Sequence, residues 1–222
     1  MSRQEEKPAR GPARAERAER MRERILESAI TLFARGFDSV AVQDVARAAG
    51  VKHSLVMYHF GTKEQLWEQA ARLLMTRFDA CHSEHLARLP ASSSLREEAE
   101  RQLYAFILAL RDVPAYGQTL LAEGVNPSPR LTWLHRNFIP EPYRVFAIGD
   151  AKLDSALSQV TLLRTALSGA VLYTVVAAPQ SAASAEEQGG EAPSELYPMS
   201  DALAQRLAKM LTSWVFNELG AG

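Results

Sequence analysis

The chain has 222 residues, 47% of them hydrophobic, so it is long enough to bury a sizeable core in one or two domains. Its formal net charge of −1 excludes a strongly basic protein that coats nucleic acid without specificity. The charge is uneven, because residues 1–66 carry 12 Lys and Arg against 9 Asp and Glu, whereas the remaining 156 residues carry 13 against 17. This asymmetry is typical of a protein that contacts phosphates at one end only.

Cysteine content and apolar runs bear on the cellular compartment. Cys81 is the only cysteine, which excludes an internal disulfide framework and suits a reducing cytosol. The charged N-terminus predicts no secretory signal. The longest apolar run, residues 166–178, is interrupted by Ser168 and Thr174 and is too short to cross a bilayer. We therefore expect a soluble cytoplasmic protein without a membrane partner.

Residues 1–20 are predicted to form a flexible charged arm, because they are rich in Arg, Glu, Ala and Pro and nearly devoid of apolar side chains. Their arginines could enter a DNA minor groove. Glu16 and Glu19 offset much of that charge, so a solvated tail is the favoured interpretation.

Three short helices are predicted between residues 21 and 60. The first covers residues 21–34 and ends at Gly36; the second covers 42–48; the third covers 52–59 after a turn at Gly50. Two short helices joined by a glycine turn are typical of a helix-turn-helix, which lays its second helix in the major groove of DNA. The predicted core residues are Ile25, Ala29, Leu32, Phe33, Val42, Val45, Ala46, Val56 and Phe60.

The rest of the chain is also predicted to be helical. A fourth helix starts near Thr62, and the three that follow begin at a Ser94 cap with Glu97 completing a capping box, at Ala115, and at a Ser128 cap. The fifth helix is expected to bury Leu95, Leu103, Phe106, Ile107 and Leu110. A long apolar helix at 154–177, a low-complexity mobile loop at 178–198 and a last helix capped by Ser200 complete the chain.

No alternating pattern of the strand type is present, so the fold class is predicted to be all-α. An N-terminal three-helix helix-turn-helix domain, residues 21–66, is followed by a helical bundle, residues 67–222.

Side chains suited to DNA cluster on the third helix and beside it. Lys52 and His53 can donate to phosphates or guanine, and Ser54 can serve either base type. Apolar contacts with thymine methyl groups and polar contacts with phosphate oxygens are expected from Leu55, Met57, Tyr58 and His59.

Three residues outside that helix are expected to assist. Gln43 can form a paired contact with adenine, and Arg47 lies within reach of the DNA backbone. Lys63, near the positive N-terminus of the fourth helix, is a natural phosphate contact.

The segment from Arg22 to Trp67 resembles the N-terminal domain of TetR-family transcriptional regulators. The resemblance is carried by Leu32-Phe33, Gly36-Phe37, Asp44-Val45-Ala46, Ala49-Gly50-Val51 and the run from His59 to Leu66. It implies DNA contact mainly through residues 52–59, together with the first turn of the second helix and the Lys63 position. It also implies a C-terminal bundle that binds a small molecule and dimerises through its last two helices.

Three positions depart from the family pattern. Thr or Ser is usual where Ala41 stands, and the missing hydroxyl should weaken the cap of the second helix by about 1 kcal/mol. Ser or Thr is also usual at Lys52, and Tyr or Arg is commoner at Met57. These departures change the phosphate contacts that are expected and leave the docking mode unchanged.

The last two helices are independent candidates for a homodimer interface. The helix at 154–177 is apolar on all sides and carries small residues that permit close approach, and the helix at 200–219 has a stripe of Leu, Met and Trp. Burial within one monomer is the alternative. A homodimer would place two recognition helices about one DNA turn apart and read a palindromic operator.

An apolar or aromatic small molecule is the preferred effector, because aromatic and amphipathic side chains recur along the bundle. Plain core packing is the alternative for each of them. The candidates are Phe78, His82, Tyr104, Leu108, Tyr116, Trp133, Phe138 and Tyr173.

The run from Cys81 to His85 contains two or three metal-ligating side chains within one helical turn. A closed structural zinc site needs four ligands, and the sequence has no second Cys/His cluster. A polar helix end with incidental histidines is therefore the favoured interpretation, and no metal or cofactor is predicted.

The leading hypothesis is a ligand-responsive transcriptional repressor. An enzyme is disfavoured because the sequence lacks a nucleophile motif, a phosphate-cradling glycine loop, HExxH and paired carboxylates. A third hypothesis is an adaptor whose helix-turn-helix binds protein. Salt-dependent, sequence-selective binding to duplex DNA distinguishes the first hypothesis from the other two.

Overall fold

The computed structural model describes residues 12–124, 128–138, 169–177 and 199–218, and every regular element in these ranges is a helix. The predicted all-α fold class is confirmed for this part of the chain. No helix in the same ranges is long and apolar enough to cross a membrane. The chain divides into two compact units, Met1–Leu73 and Leu74–Gly222.

The first unit contains three complete helices and the start of a fourth. These are α1 (Pro12–Phe33), α2 (Val42–Ala48), α3 (His53–Phe60) and α4 (Lys63–Arg88), which continues into the second unit. The second unit also contains α5 (Leu95–Asp112), α6 (Pro114–Gly124), α7 (Pro129–Asn137), a helical segment at 169–177 that ends in a π-helical turn (Tyr173–Ala177), and α8 (Asp201–Glu218).

Helix α1 begins at Pro12, nine residues before the predicted start at Met21, so residues 12–20 are helical and not a flexible arm. Proline is well tolerated at the first position of a helix, and the Ala, Arg and Glu residues that follow are strong helix formers. Glu16 and Arg20 add an exposed ion pair one turn apart, at 3.6 Å. Helix propensity is therefore sufficient to make residues 12–20 helical, although they have no apolar face. Residues 1–11 of the predicted arm lie outside the described ranges.

In the first unit, α1 supports the turn between α2 and α3. Ile25, Ala29, Val45 and Val56 are fully buried, as the apolar periodicity predicted. Arg24 Nη2 donates to the carbonyl of Ala49 at 2.6 Å and so fixes the end of α2 against α1.

Arginine also ties α1 to the helices that follow the turn. The Arg22 guanidinium lies 4.8 Å from the centroid of the Phe60 ring, and its Nη2 donates to Gln69 Oε1 at 2.8 Å. Gly50 has φ of +65°, a left-handed conformation that glycine adopts without steric strain. The predicted glycine turn is therefore present, and side chains of α1 contact the helices on either side of it.

In the second unit, α5 and α8 pack antiparallel. Arg96, near the start of α5, donates to Ser213 Oγ at 2.8 Å, and Arg111, near its end, donates to Asp201 Oδ1 at 2.6 Å. Leu95 was expected in the buried stripe of α5 and is exposed instead. As the first residue of α5 it precedes the buried face, which begins at Leu103.

Helix α6 packs closely against the 169–177 segment. A Cβ atom on Gly117 would lie 2.5 Å from Val176 Cγ2, so only glycine allows this approach. The small residue that permits close packing therefore comes from α6, a position that the sequence prediction did not consider. Residues 154–168 of the predicted apolar helix and the predicted loop at 178–198 lie outside the described ranges.

Three of the predicted serine caps are present. The Oγ atoms of Ser94, Ser128 and Ser200 accept hydrogen bonds from backbone N–H groups three residues later, at 3.3, 3.0 and 3.2 Å. The capping box at Ser94 is only half formed, because the Glu97 carboxylate accepts from the N–H of Ser93, at 2.8 Å.

Candidate nucleic-acid interface

Helix α3 buries one face and leaves the other in solvent. Val56 and Phe60 point into the core of the first unit, whereas Tyr58 is 74% exposed. Lys52 occupies the N-cap position with an extended backbone, φ −73° and ψ 141°. The other predicted contact residues of α3 are exposed or half-buried: His53, Ser54, Leu55, Met57 and His59.

Helix α2 presents Gln43 and Arg47 to solvent, because Val42, Val45 and Ala46 occupy its buried face. Ala41 at the N-cap makes no side-chain hydrogen bond, as its missing hydroxyl predicts. The Asp44 carboxylate compensates in part, because its Oδ2 accepts from the N–H of Ala41 at 3.1 Å. Its Oδ1 accepts from Arg47 Nη1 at 3.0 Å.

A reciprocal capping box starts α4. Thr62 Oγ1 accepts from the N–H of Gln65 at 3.2 Å, and Gln65 Oε1 accepts from the N–H of Thr62 at 2.9 Å. Gly61 precedes it with φ of +78°, which lets α4 begin directly after α3. The Lys63 ammonium lies 4.0 Å from the centroid of the Phe37 ring. The predicted start of this helix at the cap-type side chain of Thr62 is therefore confirmed, and Gln65 completes the box.

An open concavity of about 600 Å³ brings several of the predicted residues together. Gln43 from α2, His53 and Met57 from α3, and Lys63 from α4 line it. Thr62, which the sequence prediction did not include, lines it as well. Four of the ten residues predicted to contact DNA, contributed by three helices, thus line one concavity of the first unit.

In the second unit, three of the eight effector candidates meet. The rings of Phe78 and Tyr116 stack with centroids 3.7 Å apart, and His82 lies 6.4 Å from Phe78. Phe106 of α5, which was predicted only as a core residue, completes the cluster at 5.2 Å from Phe78. Burial raises the pKa of the Tyr116 hydroxyl well above its usual range.

His82 is the polar member of this cluster. Its Nε2 atom is buried and has no hydrogen-bond partner among the described residues. Burial is the main cause that lowers the pKa of the imidazole, which favours the neutral form of His82.

The other five effector candidates are not among the residues of this aromatic cluster. Trp133 and Phe138 contact each other, with centroids 5.6 Å apart. Leu108 is buried on α5, and Tyr173 is 62% exposed. Desolvation raises the pKa of Tyr104, and the charge of Asp201 raises it further.

The geometry of the first unit defines a class of protein. A short helix, a glycine turn and a second helix with an exposed polar face, all held against α1, form a helix-turn-helix DNA-binding domain.

Comparison with known proteins identifies the family. Residues 25–70 match the family described as bacterial regulatory proteins, tetR family. The match covers the helix-turn-helix segment and confirms the resemblance to TetR-family transcriptional regulators seen in the sequence.

Two curated relatives match the N-terminal part of the chain. One is the biofilm operon icaADBC HTH-type negative transcriptional regulator IcaR of Staphylococcus aureus, 34% identical over 53 residues, which are 23% of this chain and 28% of IcaR. The other is the HTH-type transcriptional repressor NicS of Pseudomonas putida, 30% identical over 95 residues, which are 42% of this chain and 43% of NicS. The chain thus matches less than half the length of either. Both relatives are transcriptional regulators, in agreement with the prediction of a regulator rather than an enzyme.

Two solved structures share the fold over most of the chain. A TetR-like transcriptional regulator from Rhodococcus sp. RHA1 is 18% identical with a TM-score of 0.57, and the match covers 91% of this chain and 97% of that one. A mutant of the protein HlyIIR is 21% identical with the same TM-score of 0.57, and the match covers 88% and 98%. At these identities the likeness concerns the fold alone.

Proposed function

We propose that the protein is a homodimeric transcriptional repressor that reads a palindromic operator with α3 and releases it when a small molecule binds the second unit. The observation that supports this most directly is the exposed face of α3, from Lys52 to Tyr58. A helix of this kind reaches base edges with its N-terminal side chains, and the side chains around it contact phosphates.

The residues divide by chemistry into two roles. Gln43, His53 and Ser54 have the donors and acceptors that distinguish bases in the major groove. Lys63 and Tyr58 are suited to phosphate oxygens, which fix the register of the helix but carry no sequence information.

Exposed apolar side chains support the homodimer. Met210 is 61% exposed and Trp214 is 38% exposed, one turn apart on α8. Burying such residues against a second copy removes apolar surface from water, at about 25 cal/mol per Å². These residues and the 169–177 segment belong to the two helices that the sequence predicted for dimerisation, 154–177 and 200–219.

Release by a ligand requires a difference in affinity between two states of the protein. The cluster of Phe78, His82, Phe106 and Tyr116 suits an apolar or aromatic effector, and the unpartnered Nε2 of His82 could bind its polar group. Repression is proposed because IcaR is a negative regulator and NicS is a repressor. A cytoplasmic location goes with this function, since chromosomal DNA is the target.

Genome-wide mapping of the bound sites, followed by binding assays on the sequence recovered, tests the proposal. We expect a palindromic site, sub-micromolar affinity, and an affinity that falls steeply as salt is raised, because phosphate contacts release counterions. An adaptor or an enzyme would show neither the selectivity nor the slope. A purified dimer with flat, sequence-blind affinity would contradict the proposal.

A further inference from the structure

We propose that Cys81, His85 and Asp112 form a binding site for a divalent transition metal ion of the Zn²⁺ class. Their ligand atoms, one thiol sulfur, one imidazole nitrogen and one carboxylate oxygen, all lie within 4.8 Å of one another. The site lies within the second unit and does not depend on DNA binding.

Two of the three ligands come from one helix. Cys81 and His85 are four residues apart on α4, so their side chains lie on the same face about one turn apart. Neither is fully exposed, and the His85 side chain is only 12% accessible to solvent. This spacing is legible in the sequence, which has no second Cys/His cluster and therefore predicted no closed metal site.

Asp112 supplies the third ligand from a different helix. It is the last residue of α5, and its Oδ2 lies 2.9 Å from His85 Nε2. A metal ion held by bonds of about 2.0–2.1 Å would separate two such ligands by about 3.3 Å, which needs only a small adjustment of these side chains. The negative end of the α5 helix dipole also favours a cation.

The second carboxylate oxygen of Asp112 is already oriented. Arg111 Nε donates to Oδ1 at 2.9 Å, so an ion bound at Oδ2 would displace only the contact of that oxygen with His85 Nε2. Arg111 is anchored in turn by Asp201, whose Oδ1 accepts from Arg111 Nη1 at 2.6 Å. Ligating carboxylates in metal sites are commonly fixed by such hydrogen bonds.

The composition of the site selects the metal. One thiolate and one imidazole suit Zn²⁺, whereas Mg²⁺ and Ca²⁺ prefer oxygen ligands. Three protein ligands leave the fourth tetrahedral position for water or another small ligand. A closed structural zinc site needs four protein ligands, whereas an open site of this kind needs three.

Titration of the reduced, untagged full chain with Co²⁺ tests the proposal. We expect one ion per chain, visible bands of tetrahedral Co²⁺ and a near-ultraviolet band from thiolate ligation, all abolished when Zn²⁺ is added. Cys81→Ser should remove the thiolate band and weaken Zn²⁺ binding by about 100-fold or more, beyond the usual effect of losing an outer-shell partner. Circular dichroism confirms that the variant is folded.

Two matched pairs separate ligation from general charge effects. Asp112→Asn and Asp201→Asn each remove one carboxylate from Arg111, but only the first removes a ligand, so only it should weaken Zn²⁺ binding. His85→Gln should weaken binding, and His135→Gln, on α7, should not. Co²⁺ spectra without a thiolate band, or equal losses in Asp112→Asn and Asp201→Asn, would overturn the site.

Discussion

Two of the cations proposed to contact DNA, Arg47 and Lys63, are engaged within the protein by weak interactions. Arg47 pairs with Asp44 at 3.0 Å, with the Arg47 side chain 78% accessible to solvent, and Lys63 lies over the ring of Phe37. An exposed ion pair contributes about 0–1 kcal/mol, and an exposed cation–π contact about 0.5–1 kcal/mol. Hydrogen bonds that involve charged groups contribute about 1.5–3 kcal/mol. Exchange of these internal partners for phosphate is therefore favourable.

Lys63→Ala should weaken binding to every DNA sequence, because the contact is with phosphate. The slope of log affinity against log salt should become shallower by about 0.9 for each phosphate contact that is lost. Fluorescence anisotropy at several salt concentrations measures it. Lys209→Ala, which removes the same charge from an exposed position on α8, is the control and should leave the slope unchanged.

Gln43→Ala should act differently, because a paired contact with adenine reads the base. Discrimination at one operator position should fall by about 1–3 kcal/mol, with the salt slope retained. Binding to a set of operators with single substitutions measures this. A uniform loss over all positions would assign Gln43 to the DNA backbone.

At the scale of the element, the junction between α4 and α5 is held by a carboxylate. Both oxygens of Glu98 accept from Arg101 at 2.8 Å, and Arg101 Nη1 donates to the carbonyl of Leu86 near the end of α4 at 3.1 Å. Ser92 Oγ donates to Glu98 Oε2 at 2.5 Å. One charged group thus connects the start of α5 to the end of α4.

This arrangement predicts that the free energy of unfolding decreases at acidic pH. The hydrogen bonds from Arg101, with help from Ser92 and Gln102, lower the pKa of Glu98 from its usual 4.5 to about 2. A depressed pKa means that the stabilisation is present above about pH 4.5 and is lost as the pH falls toward 2. Urea unfolding across that range should show a smaller loss of stability in Glu98→Gln than in the parent protein. Arg101→Gln should have the same effect. If both variants lost as much stability as the parent protein between pH 4.5 and 2, the prediction would be contradicted.

The contact of α6 with the 169–177 segment depends on one glycine. Gly117→Ala should lower the free energy of unfolding by about 1–3 kcal/mol, because the new methyl group would meet Val176. Gly124→Ala is the matched control on the same helix, since nothing lies within 4 Å of its Cβ position. Urea unfolding of both variants measures the difference. Equal stability of the two would show that the helices can separate without cost.

At the scale of the whole molecule, the proposed homodimer makes a separate prediction. Met210→Glu combined with Trp214→Glu should give a monomer, because two carboxylates would be buried in the interface. Sedimentation velocity measures the mass. Leu95→Glu, a charge at another exposed apolar position, is the control and should remain dimeric. Operator affinity should fall with the dimer, since each protomer carries one recognition helix.

The features that the sequence determined by itself are local. The bounds of α2, the turn at Gly50 and the serine caps of α5, α7 and α8 depend on residues within about four positions of one another, so their spacing is legible in the chain. The early start of α1 was missed because residues 12–20 lack an apolar stripe. Their helix propensity, which is equally local, was undervalued.

Only the tertiary structure decided which residues of different helices meet. Asp112 joins Cys81 and His85, Phe106 joins His82, and Gly117 meets Val176. Each pairing depends on how far one helix is rotated and shifted against another, and side-chain packing between the helices sets that geometry. A periodic pattern shows which face of a helix is buried, but not which residue of a neighbouring helix lies against it.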